Sequence, residues 1–305
     1  MYEEFFGLSG KPFSLLPDAD FLYPSKRHSM ALTLLDYSIV NQAGFVVITG
    51  EVGAGKTTIV RRFLRKAPES LTVGVVTNTS SNFGDLMTWI CTAYSLEHKG
   101  LDNISLYNNF IEFLLARYAE GKRTLLVVDE AQNLTVDMLE SLRMLSNINN
   151  EKDLLLGVAL VGQPELLAML QRTELRQFAQ RITVHYHLDP LGRAETAAYI
   201  RHRLSVVGGQ PSLFDDITCA AVHYFTGGVP RLINLLCDMS LVYAYAEELP
   251  AVSVDIVAEV VSNRSATGLT SFQPFPDGVE VANLRDYFIH LLHPDQHDVP
   301  TRLVI

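Results

Sequence analysis

Cysteine, net positive charge and long apolar runs are all scarce in this 305-residue sequence. Its three cysteines, Cys91, Cys219 and Cys237, lie far apart. They lack the paired spacing of a metal site or a disulfide framework, so they read as buried thiols in a reducing compartment. Acidic residues outnumber basic ones 34 to 24, for a formal charge of −10, which argues against a nucleic-acid coat or an electrostatic membrane binder. The longest apolar run, "LLLGVALVG" from Leu154 to Gly162, falls far short of the ~20 residues a spanning helix needs. The opening "MYEEFFGLSGKPF" is acidic and aromatic, without the basic segment and apolar stretch of a signal peptide. The expectation is a cytoplasmic chain with no membrane span, long enough for one to three domains.

What is present is a regular alternation. Short β-branched runs occur at "FVVIT" (45–49), "VGVVT" (73–77), "TLLVVD" (124–129), "LGVALVG" (156–162) and "ITVHYHL" (182–188). Helix-patterned segments separate most of them, and a further helical stretch is expected from about Ser25 to Asn41. Strands apolar on both faces, alternating with helices, predict an α/β fold with a parallel sheet sandwiched by helices. From about Leu191 the β signal stops, and four helix-patterned segments, three of them with Asp or Ser caps, Gly or an N-terminal Pro, predict an all-helical unit. The expected division is an α/β domain over 1–190, including an aromatic segment 1–28, a helical domain over 191–264, and a linker and tail over 265–305.

The strongest chemical signal is "GEVGAGKTT", formed by Gly50, Glu51, Val52, Gly53, Ala54, Gly55, Lys56, Thr57 and Thr58 between a predicted strand and a predicted helix. Small residues let backbone N–H groups turn inward around an anion, and the following helix points its positive end at the same place. This spacing is that of a phosphate-binding loop, with Lys56 reaching the β- and γ-phosphates of ATP and Thr57 ligating Mg²⁺. In "TLLVVDEAQNL", an apolar strand delivers Asp129 and Glu130 to the sheet's carboxyl edge. Asp129 is expected to hold Mg²⁺ through water, and Glu130 to orient and polarise the water that attacks the γ-phosphate. Gln163 follows a third buried run, as a contact for the γ-phosphate or the water, or as a turn residue before Pro164.

With these residues in place, the sequence resembles the AAA+ ATPases of the general secretion pathway, the ExeA/GspA type. The resemblance runs from Met1 to about Glu248 through "MYEEFFGLSGKPFSLLPDADFLYPSKRH", "GEVGAGKTT", "VVDEAQNL", "LVGQPEL", "ELRQFAQRITVHYHLDPL", "AAYIRHRL" and "GGVPRLINLLCD". It implies a P-loop AAA+ fold with a C-terminal all-helical lid, nucleotide bound between the two, and homo-oligomers whose subunits complete one another's sites. It also implies that Gln163 is the polar sensor and that Arg231, in "GGVPR", is a second sensor reporting nucleotide from the lid. Arg181, before "ITV", is similar in position to an arginine finger, with Arg176 the competitor, and Phe21 to His28 is expected near the adenine. Longer members of the family continue into a membrane span and a peptidoglycan-binding module. This sequence contains neither, so a partner from the envelope or secretion machinery, and any association with the inner membrane, is expected to be met through protein contacts.

The remaining signals are weaker. His290, His293 and His297 have helical spacing interrupted by Pro294 and read as solvated rather than as a metal site. His185 and His187 alternate along one strand face and read as structural. Arg61, Arg62, Arg65 and Lys66 read as a solvated face, a subunit contact or a DNA contact. Two alternatives stand beside an envelope-assembly ATPase: a DNA-associated AAA+ ATPase of the transposition-target or initiator kind, and a nucleotide-switched scaffold. The acidic charge weighs against the first, and Glu130 weighs against the second, because a pure switch needs no catalytic carboxylate.

Overall fold

The computed structural model describes residues 1–16, 21, 23–41, 44–77, 85–150, 153–268 and 272–293. The chain divides into two compact units, one of residues 26–189 and one that joins residues 1–25 to residues 190–305.

In the first unit the five apolar runs become strands β1 (Phe45–Gly50), β2 (Leu71–Val76), β3 (Arg123–Val128), β6 (Leu156–Gly162) and β7 (Ile182–Leu188). They form one parallel sheet in the order β2-β3-β6-β1-β7. The expected burial on both faces holds in the middle of the sheet, where every residue of β1 is buried. The edge strand β7 is less covered, with only Val184 and Leu188 buried. A short antiparallel pair, β4 (Asn149–Asn150) and β5 (Asp153–Leu154), precedes β6. It is too brief to leave a periodic signal in the sequence.

Side chains of each strand point alternately to two cores. Phe45, Val47, Leu126, Val128, Val158 and Leu160 share one core, with residues of α4 (Leu86–Ala93), α5 (Asn103–Ala119), α6 (Val136–Leu145), α7 (Pro164–Leu170) and α8 (Arg176–Ala179). Val46, Ile48, Leu125, Val127, Ala159 and Val161 share the other, with α2 (Lys26–Val40) and α3 (Lys56–Lys66). The order has one consequence for function. β6 lies between β1 and β3, with Thr49 opposite Gly162 and Val128 opposite Leu160. The loops leaving β1, β6 and β3 therefore emerge side by side at the carboxyl edge.

The second unit is helical, as expected: α9 (Arg193–Val206), α10 (Asp216–Thr226), α11 (Pro230–Ala246) and α12 (Val254–Thr267). Asp215 caps α10 through the Thr218 N–H at 2.7 Å, and Ser253 caps α12 through the Ile256 N–H at 3.3 Å. Two features differ from the expected boundaries. The aromatic N-terminal segment belongs to this unit up to Ser25, because its side chains are buried there: Phe13 is fully buried and meets Phe214 edge-on at 5.8 Å. Arg203, itself buried, donates from Nε to Pro12 O (2.5 Å) and from Nη2 to Ser14 O (3.2 Å), and lies 4.6 Å from the Phe21 ring centroid. Tyr2, in α1 (Tyr2–Phe5), donates its hydroxyl hydrogen to Asp238 at 2.5 Å. The expected tail is likewise part of the core in its described portion, where Leu284 and Phe288 of α13 (Leu284–Leu292) are fully buried.

All three cysteines are buried and free. Among the described residues no helix is long and apolar enough to cross a membrane. His297 lies outside the described residues.

Phe13→Ala should cost about 3–5 kcal/mol, the usual loss for emptying a buried phenylalanine site, read as a lower urea midpoint of the full chain. An unchanged midpoint would contradict the docking of the N-terminal segment.

Candidate active site

β1 ends at Gly50, and the chain turns through Glu51–Gly55 into α3 at Lys56. Gly55 has φ +103°, and a Cβ there would lie 2.7 Å from His28 Nε2. Only glycine accepts that backbone and that neighbour together. His28, buried in α2, also bonds from Nε2 to Ala54 O at 3.2 Å. It thus supports the loop from behind, while Phe21 belongs to the helical unit.

Lys56 is 6% exposed and donates from Nζ to Gly50 O (2.6 Å) and Glu51 O (2.9 Å). An ammonium has three hydrogens to give, and the loop carbonyls accept two. Burial pushes its pKa down, opposed by the carboxylates of Glu130, Asp129 and Glu51. It is a desolvated cation at a helix N-terminus, where an anion is favoured twice over. Thr57 donates from Oγ1 to Asp129 Oδ2 at 2.9 Å, and the Glu130 N–H donates to Asp129 Oδ1 at 3.0 Å. Asp129 is 5% exposed, and burial raises its pKa against the lowering effect of the Thr57 hydroxyl. Thr58 is half-buried in the first turn of α3, and Val52 is exposed at the loop tip.

Glu130 has φ 54° and ψ 39°, a left-handed conformation in a residue that is not glycine. Such strain costs of order 1–3 kcal/mol and persists only where the surroundings impose it. Here it turns the chain from β3 into the short helix Ala131–Asn133. Gln132 Nε2 donates to Glu130 Oε2 at 2.7 Å, and Gln163 Nε2 approaches the same oxygen at 3.4 Å. The Gln163 N–H donates to Gln132 Oε1 at 3.0 Å. Of the residues singled out in the sequence, Lys56, Thr57, Asp129, Glu130 and Gln163 are thus joined through the phosphate loop and the ends of β1, β3 and β6.

The arginines lie elsewhere. Arg181 is half-buried and donates from Nη1 to Ser146 Oγ (3.0 Å) and Arg143 O (3.4 Å). In the β1–β7 ladder Phe45 pairs with Ile182 and Gly50 with Leu188, so Arg181 sits a full strand length from its own phosphate loop. Arg176 is exposed at the start of α8. Arg231 is exposed in the first turn of α11, in the helical unit. His185 Nε2 and His187 Nδ1 lie 3.2 and 3.0 Å from the buried Thr49 Oγ1, the structural role expected of them. Gln132 carries no signal of its own in the sequence, and His28 enters there only as the end of the segment expected near the adenine. Gln132 stands two residues after Glu130 in the same motif, a proximity that could have drawn attention to it.

A strand–glycine loop–helix at the carboxyl edge of a five-stranded parallel sheet, with an acidic pair at the end of the next strand but one and a helical unit following in the chain, defines a P-loop protein of the AAA+ class. A family model described as an AAA domain matches residues 40–170. General secretion pathway protein A of Aeromonas hydrophila is 44% identical over 247 residues, 81% of this chain and 45% of that protein. The chain therefore spans about half the length of that relative. The fold is also similar to the Aeropyrum pernix ORC2 protein solved as ADPNP–ADP complexes, with a TM-score of 0.61 and 17% identity over 85% of this chain and 74% of that one. It is similar as well to Cdc6p from Pyrobaculum aerophilum, with a TM-score of 0.62 and 18% identity over 83% and 74% of the two chains. At such identities these structures speak to the fold. The chain belongs to the AAA+ family, and within it to the ExeA/GspA type.

Gly55→Ala should lower stability by at least about 1–2 kcal/mol, the cost of a left-handed residue with a side chain. Adding His28→Ala should recover only the steric part. Urea melts of the single and double variants check this, and a Gly55→Ala variant as stable as wild type would contradict the geometry.

Proposed function

We propose that the chain binds ATP with Mg²⁺ and hydrolyses it. The observation that carries this reading is the convergence of a desolvated Lys56 ammonium, a Thr57–Asp129 pair and the strained Glu130 at neighbouring strand ends. The phosphates fit the loop because Gly50, Glu51, Val52, Gly53, Ala54, Gly55 and the first turn of α3 offer N–H groups around a cation. The Thr57 hydroxyl and Asp129 carboxylate, 2.9 Å apart, offer the hard oxygens that suit Mg²⁺: Thr57 would ligate it and Asp129 would hold it through water. When bound, Mg²⁺ neutralises charge on the β- and γ-phosphates.

The chain's own residues do the rest. Lys56 moves its remaining N–H toward the γ-phosphate and stabilises the charge that spreads there in the transition state. Glu130 accepts a hydrogen bond from the attacking water and takes its proton as the oxygen bonds to Pγ. The bond from Pγ to the bridging oxygen breaks, and its electron pair stays with ADP. Gln163 faces the γ-phosphate or the water from the end of β6. Arg231 acts from the lid as the second nucleotide sensor.

Turnover is shared between subunits of a homo-oligomer, with Arg181 or Arg176 reaching a neighbour's nucleotide. The separation of Arg181 from its own loop supports action in trans. The cycle drives assembly or remodelling of an envelope or secretion complex from the cytoplasmic side, with any hold on the inner membrane made through partner proteins. The name of the Aeromonas relative supports that setting.

Lys56→Ala should abolish ATP binding in a fluorescent-nucleotide titration, and unchanged affinity would refute the phosphate loop. Glu130→Gln should bind ATP but stall, because an amide cannot take the proton. Mixing Arg181→Ala with Lys56→Ala, both inactive, should restore partial turnover by pairing an intact loop with an intact finger. Arginine fingers are worth roughly 10³–10⁵ in rate, so recovery stands out. Mixed oligomers without recovery would exclude Arg181 as a finger in trans.

A further inference from the structure

Gln132 has no role in the mechanism above, yet its side chain joins two of that mechanism's parts. Its orientation is fixed by chemistry. The Gln163 backbone N–H can only donate, so the carboxamide atom facing it at 3.0 Å must be the acceptor Oε1. That leaves Nε2, with its hydrogens, facing Glu130 Oε2 at 2.7 Å. The carboxamide is therefore a bridge from the end of β6 to the carboxylate after β3. Gly162 is shaped to admit it. A Cβ on Gly162 would lie 2.9 Å from Gln132 Oε1, 3.0 Å from Leu166 Cδ2 and 3.2 Å from the Gln132 backbone nitrogen. Any larger residue there presses on the carboxamide. Glu130 itself holds an unfavourable backbone conformation, so its side-chain direction depends on what restrains it from outside.

From this geometry we infer that Gln132 is a positioning residue: it sets the Glu130 carboxylate toward the attacking water and ties that setting to the Gln163 end of β6. A movement of Gln163 on meeting the γ-phosphate is then transmitted through one carboxamide to the group that takes the proton. The inference rests on the reading of Glu130 as that group. Charge-assisted bonds of this kind are the stronger and more directional ones, and displacing a reacting group by 1 Å costs on the order of 100-fold in rate.

The test uses the full chain and Gln132→Met, which keeps the side-chain length and removes both hydrogen bonds. ATP affinity should stay within about twofold of wild type while single-turnover hydrolysis slows roughly ten- to hundredfold. In the nucleotide-free chain, amide hydrogen exchange at Gln163 should quicken by about tenfold, because its acceptor is gone. Introduced into a Glu130→Gln background, Gln132→Met should cost no further rate, since two residues acting as one unit are not additive. A merely structural role would slow both backgrounds alike. Should Gln132→Met fail to fold, Gly162→Ala should produce the same loss in rate with affinity kept. An unchanged rate, equal losses in both backgrounds, or unchanged Gln163 exchange overturns the inference. Wild-type hydrolysis by Glu130→Gln alone overturns instead the role of Glu130, while the exchange experiment still reports on the bridge.

Discussion

Taking the Lys56 ammonium out of water costs free energy, and the fold of residues 26–189 is arranged around offsetting that cost. The Gly50 and Glu51 carbonyls accept two of its hydrogens at 2.6 and 2.9 Å. They can do so only because the loop doubles back through a left-handed Gly55 laid against His28. The lowered pKa of Lys56 marks what burial takes away, and the carboxylates of Glu130 and Asp129 return part of it. An arriving polyphosphate would supply the rest, which makes the loop receptive to anions. Burial likewise raises the pKa of Asp129, so cation and carboxylate are both held in an environment that disfavours their charged forms.

Strand order converts this local chemistry into a site. Because β6 separates β1 from β3, the glycine loop after β1 and Glu130 after β3 stand one strand apart, with the Gln163 end of β6 in the gap. Parallel strands place all three at one edge, and the crevice beyond their carboxyl ends is where open α/β sheets bind ligands. The unfavourable backbone of Glu130 is the local cost of turning a buried strand abruptly into that crevice.

Much of this was legible in the sequence, because the signals are short-range. Five β-branched runs, a glycine loop of fixed spacing, and acidic residues at a strand end each state their structure within ten residues. What could not be read depends on long-range packing. Phe13 pairs with Phe214, and Arg203 with Pro12 and Ser14, across about two-thirds of the chain. An aromatic segment announces that it will be buried but not in which core, so its place in the helical unit rather than the sheet domain is invisible locally. The same holds for Leu284 and Phe288 in the expected tail. Gln132 is illegible in the sequence because its partner, the Gln163 N–H, lies just past the end of a strand distant in sequence, and a lone glutamine after an acidic pair carries no pattern of its own. The arginines show the converse: Arg181 was picked out by resemblance, and strand register then separated it from its own loop.

The most direct test of the central claim, that these strand ends hydrolyse ATP by activating water, is to incubate the chain with ATP and Mg²⁺ in ¹⁸O-labelled water and analyse the products by mass spectrometry. The expected result is one ¹⁸O atom in each inorganic phosphate and none in ADP, accumulating in proportion to protein, as attack of water on the γ-phosphorus requires. Bound ATP that releases no phosphate above the uncatalysed background, or label appearing in ADP, would contradict it.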